Sequence, residues 1–176
     1  VTKQVSERFD EADARHLFFT DYGTEIVDIF TFTSGGYKSM KFRNVNSDGS
    51  AAQTTGFVDT DFPLFRAADA YLMLAECAAR GAADNAKGLA AYNAVRERAG
   101  VPTASSITPE DVLNERGREL LWEGHRRSDL IRFGQFTTAD YLWEYKGSVK
   151  EGTAVADYRN LFPLPPADVN ANSNLK

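Results

Sequence analysis

Glu115, Glu119 and Glu123 recur every four residues, a spacing that stacks three carboxylates along one side of a helix. Neighbouring carboxyls are raw material for acid–base chemistry, one donating a proton while another stays ionised. The same stretch interleaves Arg116, Arg118, Arg126 and Arg127. Arg116–Glu119 and Glu123–Arg127 lie within one turn, where opposite charges pair as ions. An enzyme on this face needs carboxylates with shifted proton affinity in a cleft; a braced helix needs them paired with arginine. The interleaving favours bracing.

Other chemistry is sparse. His16 and His125 are far apart in sequence and belong to no constellation, and there is no phosphate-binding glycine loop, zinc-ligand spacing or Gly-x-Ser-x-Gly elbow. The sequence therefore supports no cofactor and no metal. Asp48 sits in a loop that lacks the ligand pattern and closing glutamate of a calcium site. Cys77 is the sole cysteine, which excludes an intrachain disulfide, and its alanine-rich surroundings predict a small core residue. Tyr141, Trp143 and Tyr145 alternate, so an extended backbone would set all three on one side, as a stacking platform or as a cover over the helices.

The elements that must position these groups begin with the helix carrying the glutamates. Thr108 is a cap, Pro109 suits the first helical position, Glu110 and Asp111 complement the helix dipole, and Ile107 with Val112 has staple spacing. Leu113, Gly117, Leu120 and Gly124 share a stripe whose glycines invite close approach of another backbone. The helix is expected to break near Gly124, with a shorter one ending at Phe133-Gly134. Before it, PLFRAADAYLMLAECAARG predicts a helix over 64–79 that is apolar nearly all round, with Arg66–Asp69 and Glu76–Arg80 as polar pairs. A second helix starts after Asp84 or Asn85, presents Leu89, Tyr92, Val95 and Ala99 on one side, and stops at Gly100 and Pro102. The two form an αα-hairpin like one tetratricopeptide unit, without a second copy at a fixed period.

Residues 1–62 read as irregular loop and short strand, with a turn at Ser34-Gly35-Gly36 and a short strand in YKSMKF. Residues 63–134 form the helical core, and 135–176 a loop followed by a proline-rich closing segment, all within one domain. In LFPLPPADV the prolines exclude a central strand or helix interior, so an extended segment is expected with Leu161, Phe162 and Leu164 packed inward. The fold class is mainly α: an irregular helical scaffold with long loops and minor strands.

At 176 residues the chain can bury one substantial core. A net charge of −5 and pI near 5.1 argue against broad nucleic-acid binding. No apolar run approaches the ~20 residues of a membrane span.

In order, FRAADAYLMLAECAARG, AYNAVRERAG, LNERGRELLWEGHRRSDLIRFG and LFPLPPADVNANSNL resemble the C-terminal region of the SusD/RagB family, and Asp13-Ala14-Arg15 resembles that region's usual beginning. Each motif alone is weak; four in order at compatible distances are specific. The resemblance implies a non-enzymatic, surface-exposed outer-membrane lipoprotein of Bacteroidota. Such a protein binds glycans or other nutrients as a lid on a SusC-type TonB-dependent transporter. Family chains are longer and carry a signal, a lipidated cysteine and tetratricopeptide-like helices that are absent here. A fragment is therefore expected, with membrane attachment only through a lipid anchor outside this chain.

Within that resemblance Arg116, Glu119, Glu123, Arg126 and Asp129 are expected to be a bracing network. Ligand contacts are expected from loop aromatics: Tyr22, Tyr37, Tyr141, Trp143 and Tyr145. A sugar's C–H face packs on a ring while its hydroxyls need partners such as Asn44, Asn46 and Asp48 beside Tyr37. The competing reading is a helical protein–protein interaction scaffold with no small ligand, which requires an exposed apolar groove on the helices.

Overall fold

The computed structural model describes residues 1–29, 35–54 and 56–175. Its polar N-terminal stretch forms a single helical turn, α1 (Lys3–Ser6), and an antiparallel pairing of β1 (Phe18–Phe19) with β2 (Lys38–Ser39). Phe18 faces Ser39 and Phe19 faces Lys38. Aromatic packing holds this region: His16 lies 6.1 Å from the Phe9 ring and 5.4 Å from Phe18. β2 falls in the YKSMKF stretch; Ser34 of the expected turn lies outside the described residues.

The long helices carry the core. α2 (Ala67–Ala79) starts three residues later than the sequence predicts, because Arg66 is extended and Leu64 and Phe65 are exposed ahead of it. α3 (Asn85–Arg98) is capped by the Asp84 carboxylate, which accepts from the Lys87 N–H at 2.9 Å. The short connection between them folds α2 and α3 into the expected αα-hairpin. Gly88 is where the two meet closely: a Cβ there would stand 2.1 Å from that of Ala78. The expected close approach at Gly117 is instead to a side chain, the Arg126 guanidinium.

α4 (Pro109–Glu119) opens with a reciprocal cap, Thr108 accepting from the Asp111 N–H at 3.2 Å and Asp111 from the Thr108 N–H at 2.8 Å. Leu72 and Ala75 of α2, Tyr92 and Val95 of α3 and Val112 of α4 form the buried core, with Ile107 packed against it. α4 ends before Gly124. Trp122 and Gly124 both take left-handed backbone, at φ 65 and 80, turning the chain into α5 (Arg126–Arg132).

Three expectations, two about burial and one about backbone, are corrected. Cys77 is exposed, because α2 buries Leu72, Ala75, Glu76 and Ala78, which leaves Cys77 on the outer side one turn from exposed Met73. Leu161, Phe162 and Leu164 are also exposed. The proline segment does not simply stay extended, since Pro166 starts a short helix, α6 (Pro166–Ala171), at the position where proline is tolerated.

The chain divides into two compact units, Val1–Asp129 and Leu130–Lys176, the boundary falling within α5. In the second unit the backbone turns repeatedly, through 3₁₀ segments at Lys146–Ser148 and Asp157–Asn160. Tyr145 takes left-handed backbone at φ 66, so the Tyr141–Tyr145 stretch is not the extended run its alternation suggests. Among the described residues no helix is long and apolar enough to cross a membrane.

Candidate functional site

The α4 glutamates lie at the centre of a charged network assembled from distant elements. Glu115 is fully buried and is met by Arg15 at 2.8 Å, Arg96 of α3 at 3.0 Å and Arg118 at 2.6 Å. Glu119, also buried, is met by Arg15 at 3.0 Å, Arg66 at 2.8 Å and Arg98. Glu123 is held by Arg66 at 2.8 Å and by Lys41. Asp13 orients Arg15, accepting from its backbone N–H and Nε, each at 2.9 Å, and from Nη2 at 2.8 Å. Burial pushes the Glu123 carboxyl up, but hydrogen bonds and charge from Arg66 and Lys41 outweigh it and hold the group below its ordinary value. Asp13 is likewise pushed up by burial and brought lower by Arg15 and Arg118. A general acid needs the opposite shift.

Arg116 belongs to a separate, deeper contact. Its guanidinium reaches Asp69 of α2 at 2.7 Å and Asp129 of α5 at 2.9 Å. Both short-range pairings expected from the sequence are thereby replaced: Arg116 goes to aspartates rather than Glu119, and Glu123 to Arg66 and Lys41. The expected Arg66–Asp69 pair is also redistributed, while Glu76–Arg80 forms at 3.0 Å. Arg126 donates to the Leu113 carbonyl at 2.7 Å. The five residues expected to brace the fold thus fall into three contacts, around Arg116, around Arg66 and at the Leu113 carbonyl.

The candidate aromatics divide between the two units. Tyr22 is 71% exposed, at 6.5 Å from the Phe19 ring; Tyr37 is half-buried with its ring edge-on to Phe18 at 6.4 Å. In the second unit Tyr141 lies 6.2 Å from Trp143, which also stacks on Phe136 at 6.0 Å. Tyr145 is half-buried. The polar partners expected beside Tyr37 are engaged within their own loop. Asn44 donates to the Phe57 carbonyl at 2.9 Å and accepts from the Asp59 N–H at 2.9 Å; Asn46 donates to Ser50 at 2.9 Å, and Asp48 accepts from the Ser50 hydroxyl at 2.7 Å.

Sequence reasoning missed Lys146. It is 2% exposed, and its ammonium donates to the carbonyls of Thr138 at 2.6 Å and Tyr141 at 2.7 Å while lying 4.8 Å from the Trp143 ring centre. Burial lowers its pKa, with Asp140 opposing. It ties together the turns that carry Tyr141 and Trp143. Also missed were Arg15, Lys41, Arg96 and Arg98 as partners of the glutamates, because no local spacing signals a contact made across many residues.

Solved structures with this fold include the surface glycan-binding protein A of Bacteroides uniformis (TM-score 0.69, 21% identity, 97% of this chain and 38% of that one). A SusD superfamily protein of Parabacteroides distasonis matches similarly (TM-score 0.68, 24% identity, 98% and 40%). In sequence, the chain is 39% identical over 171 residues to the starch-binding protein SusD of Bacteroides thetaiotaomicron, covering 93% of this chain and 30% of that protein. The chain thus spans under a third of that relative's length. With the model of the SusD family matching residues 6–176, it belongs to the SusD family.

Proposed function

We propose that this chain is part of a glycan-binding protein that captures oligosaccharide at the cell surface, with a starch-type α-glucan the first ligand to test. The observation that carries this reading is the 39% identity to a starch-binding protein across nearly the whole chain. The family further suggests an outer-membrane lipoprotein that serves as lid to a SusC-type TonB-dependent transporter. No chemistry on the glycan is part of this reading. The α4 glutamates are buried against cations, and Glu123 is held ionised rather than poised to give up a proton.

Ligand contacts are assigned to Tyr22 and Tyr37 in the first unit and to Tyr141, Trp143 and Tyr145 in the second. Tyr22 offers an open ring; Trp143 and Tyr141 offer a pair set by Lys146 and Phe136. Calorimetry against a panel of plant, fungal and host oligosaccharides tests this, with alanine at each aromatic in turn. Saturable binding to one glycan class, weakened by at least one substitution, is expected. Unchanged affinity in all five variants would remove these residues from the site.

One feature favours a second reading, a helical interaction surface. A groove of about 370 Å³ along α2 and α3 is lined by Ala67, Ala68, Tyr71, Ala94 and Val95 and flanked by Arg66 and Arg98. A folded chain that binds none of the panel would shift weight to this groove.

A further inference from the structure

The charged network around α4 does not balance. Linked through direct contacts are six cationic side chains (Arg15, Lys41, Arg66, Arg96, Arg98 and Arg118) against four carboxylates (Asp13, Glu115, Glu119 and Glu123), an excess of two positive charges. Five of the six cations are gathered at one place. Arg15, Lys41, Arg66, Arg98 and Arg118 line one cavity of about 160 Å³, to which Glu119 and Ser39 also contribute.

Hydrogen-bond capacity is left over at the same place. Arg15 uses Nε, Nη1 and Nη2, and Arg118 likewise uses all three nitrogens. Arg98, by contrast, donates only through Nη2, to Glu119, and Arg66 only through Nε and Nη2, among the described residues. Lys41 uses two of its three donors, on the Glu119 carbonyl and the Glu123 carboxylate. Unused N–H groups on Arg66, Arg98 and Lys41 therefore border a partly enclosed cavity with surplus positive charge. Planar guanidinium donors of this kind suit carboxylate and phosphate oxygens.

We propose that this cavity binds a small oxyanion, a carboxylate or phosphate group, through Arg66, Arg98 and Lys41. None of the aromatic residues assigned to neutral glycan lines this cavity, and its test does not depend on them. Two sources share the chemistry: free inorganic phosphate and the carboxylate of an acidic sugar.

The test is calorimetric titration of the intact chain with inorganic phosphate and, separately, with glucuronate, using glucose as the neutral control. Saturable binding of at least one anion is expected, absent with glucose and weakened by added salt. Binding of phosphate alone names a free anion; binding of glucuronate as well names an acidic sugar. Arg98→Gln, at a side chain 59% exposed, leaves the core pairs in place and is expected to weaken binding about tenfold. Ser39→Glu places a tethered carboxylate at the cavity wall, and is expected to raise the melting temperature while abolishing anion binding. Absence of saturable binding by either anion would overturn the proposal. So would equal affinity in Arg98→Gln, or a Ser39→Glu chain that still binds.

Discussion

The two units bury charge by opposite means. Around α4, carboxylates are enclosed by other full charges: Glu115 and Glu119 each touch three arginines, drawn from several elements. In the second unit Lys146 is equally buried but is met by neutral dipoles, two backbone carbonyls and the face of Trp143. The first arrangement joins distant parts of the chain; the second closes a local turn. A full charge that loses its counter-charge in the interior is left uncompensated, whereas a carbonyl that loses its donor is only an unsatisfied dipole. The two regions should therefore fail differently when cut.

Acid should have the largest effect, because it neutralises the carboxylates together. Asp13 and Glu123 ionise at lower pH in the folded chain than in the unfolded one, so the unfolded chain binds more protons in the acid range. Their stabilisation is complete above the ordinary carboxylate value of about 4 and is lost as pH falls through the lower folded values. Lys146 has the same sign of dependence in a different, alkaline window. Its folded pKa is lowered, so its contribution to stability rises with pH through the window below the ordinary lysine value of about 10.4. Urea melts across pH should show both limbs, and Lys146→Met should shrink the alkaline one alone.

Next is Arg116→Met, which strips a buried cation from both Asp69 and Asp129 and should cost about 3–5 kcal/mol. Lys146→Met leaves two carbonyls without their donor and should cost about 1–3 kcal/mol. Arg98→Met should be smallest, under about 1 kcal/mol, because that side chain is largely in water and Glu119 keeps Arg15 and Arg66. Denaturant midpoints at constant slope measure all three. Equal losses for Arg116→Met and Arg98→Met would erase the distinction between the deep and rim pairs.

The helices were legible because each carries its own signals. Thr108, Pro109 and Asp111 mark the start of α4, Asp84 marks α3, and the apolar spacing of Tyr92 and Val95 marks the packed face of α3. Burial was less legible where the pattern is degenerate. On a helix apolar nearly all round, nothing local says that Cys77 lies outside while Ala78 lies inside. The inward packing expected of Leu161, Phe162 and Leu164 rested on residue type alone, and all three are exposed. Pairing was least legible. Arg116 has Glu119 one turn away yet reaches Asp69, because α2 packs on α4 and brings that carboxylate to it. Lys146 gave no signal, since backbone carbonyls leave no trace in residue type.

The reading as a glycan-binding protein makes one joint demand: the chain should hold a glycan and leave it intact. Titrating malto-oligosaccharide into the chain, then recovering the sugar and measuring its length, tests both at once. Saturable heat with the oligosaccharide returned at its original length is the predicted result. Shortened sugar, or a folded chain that takes up no oligosaccharide, would contradict it.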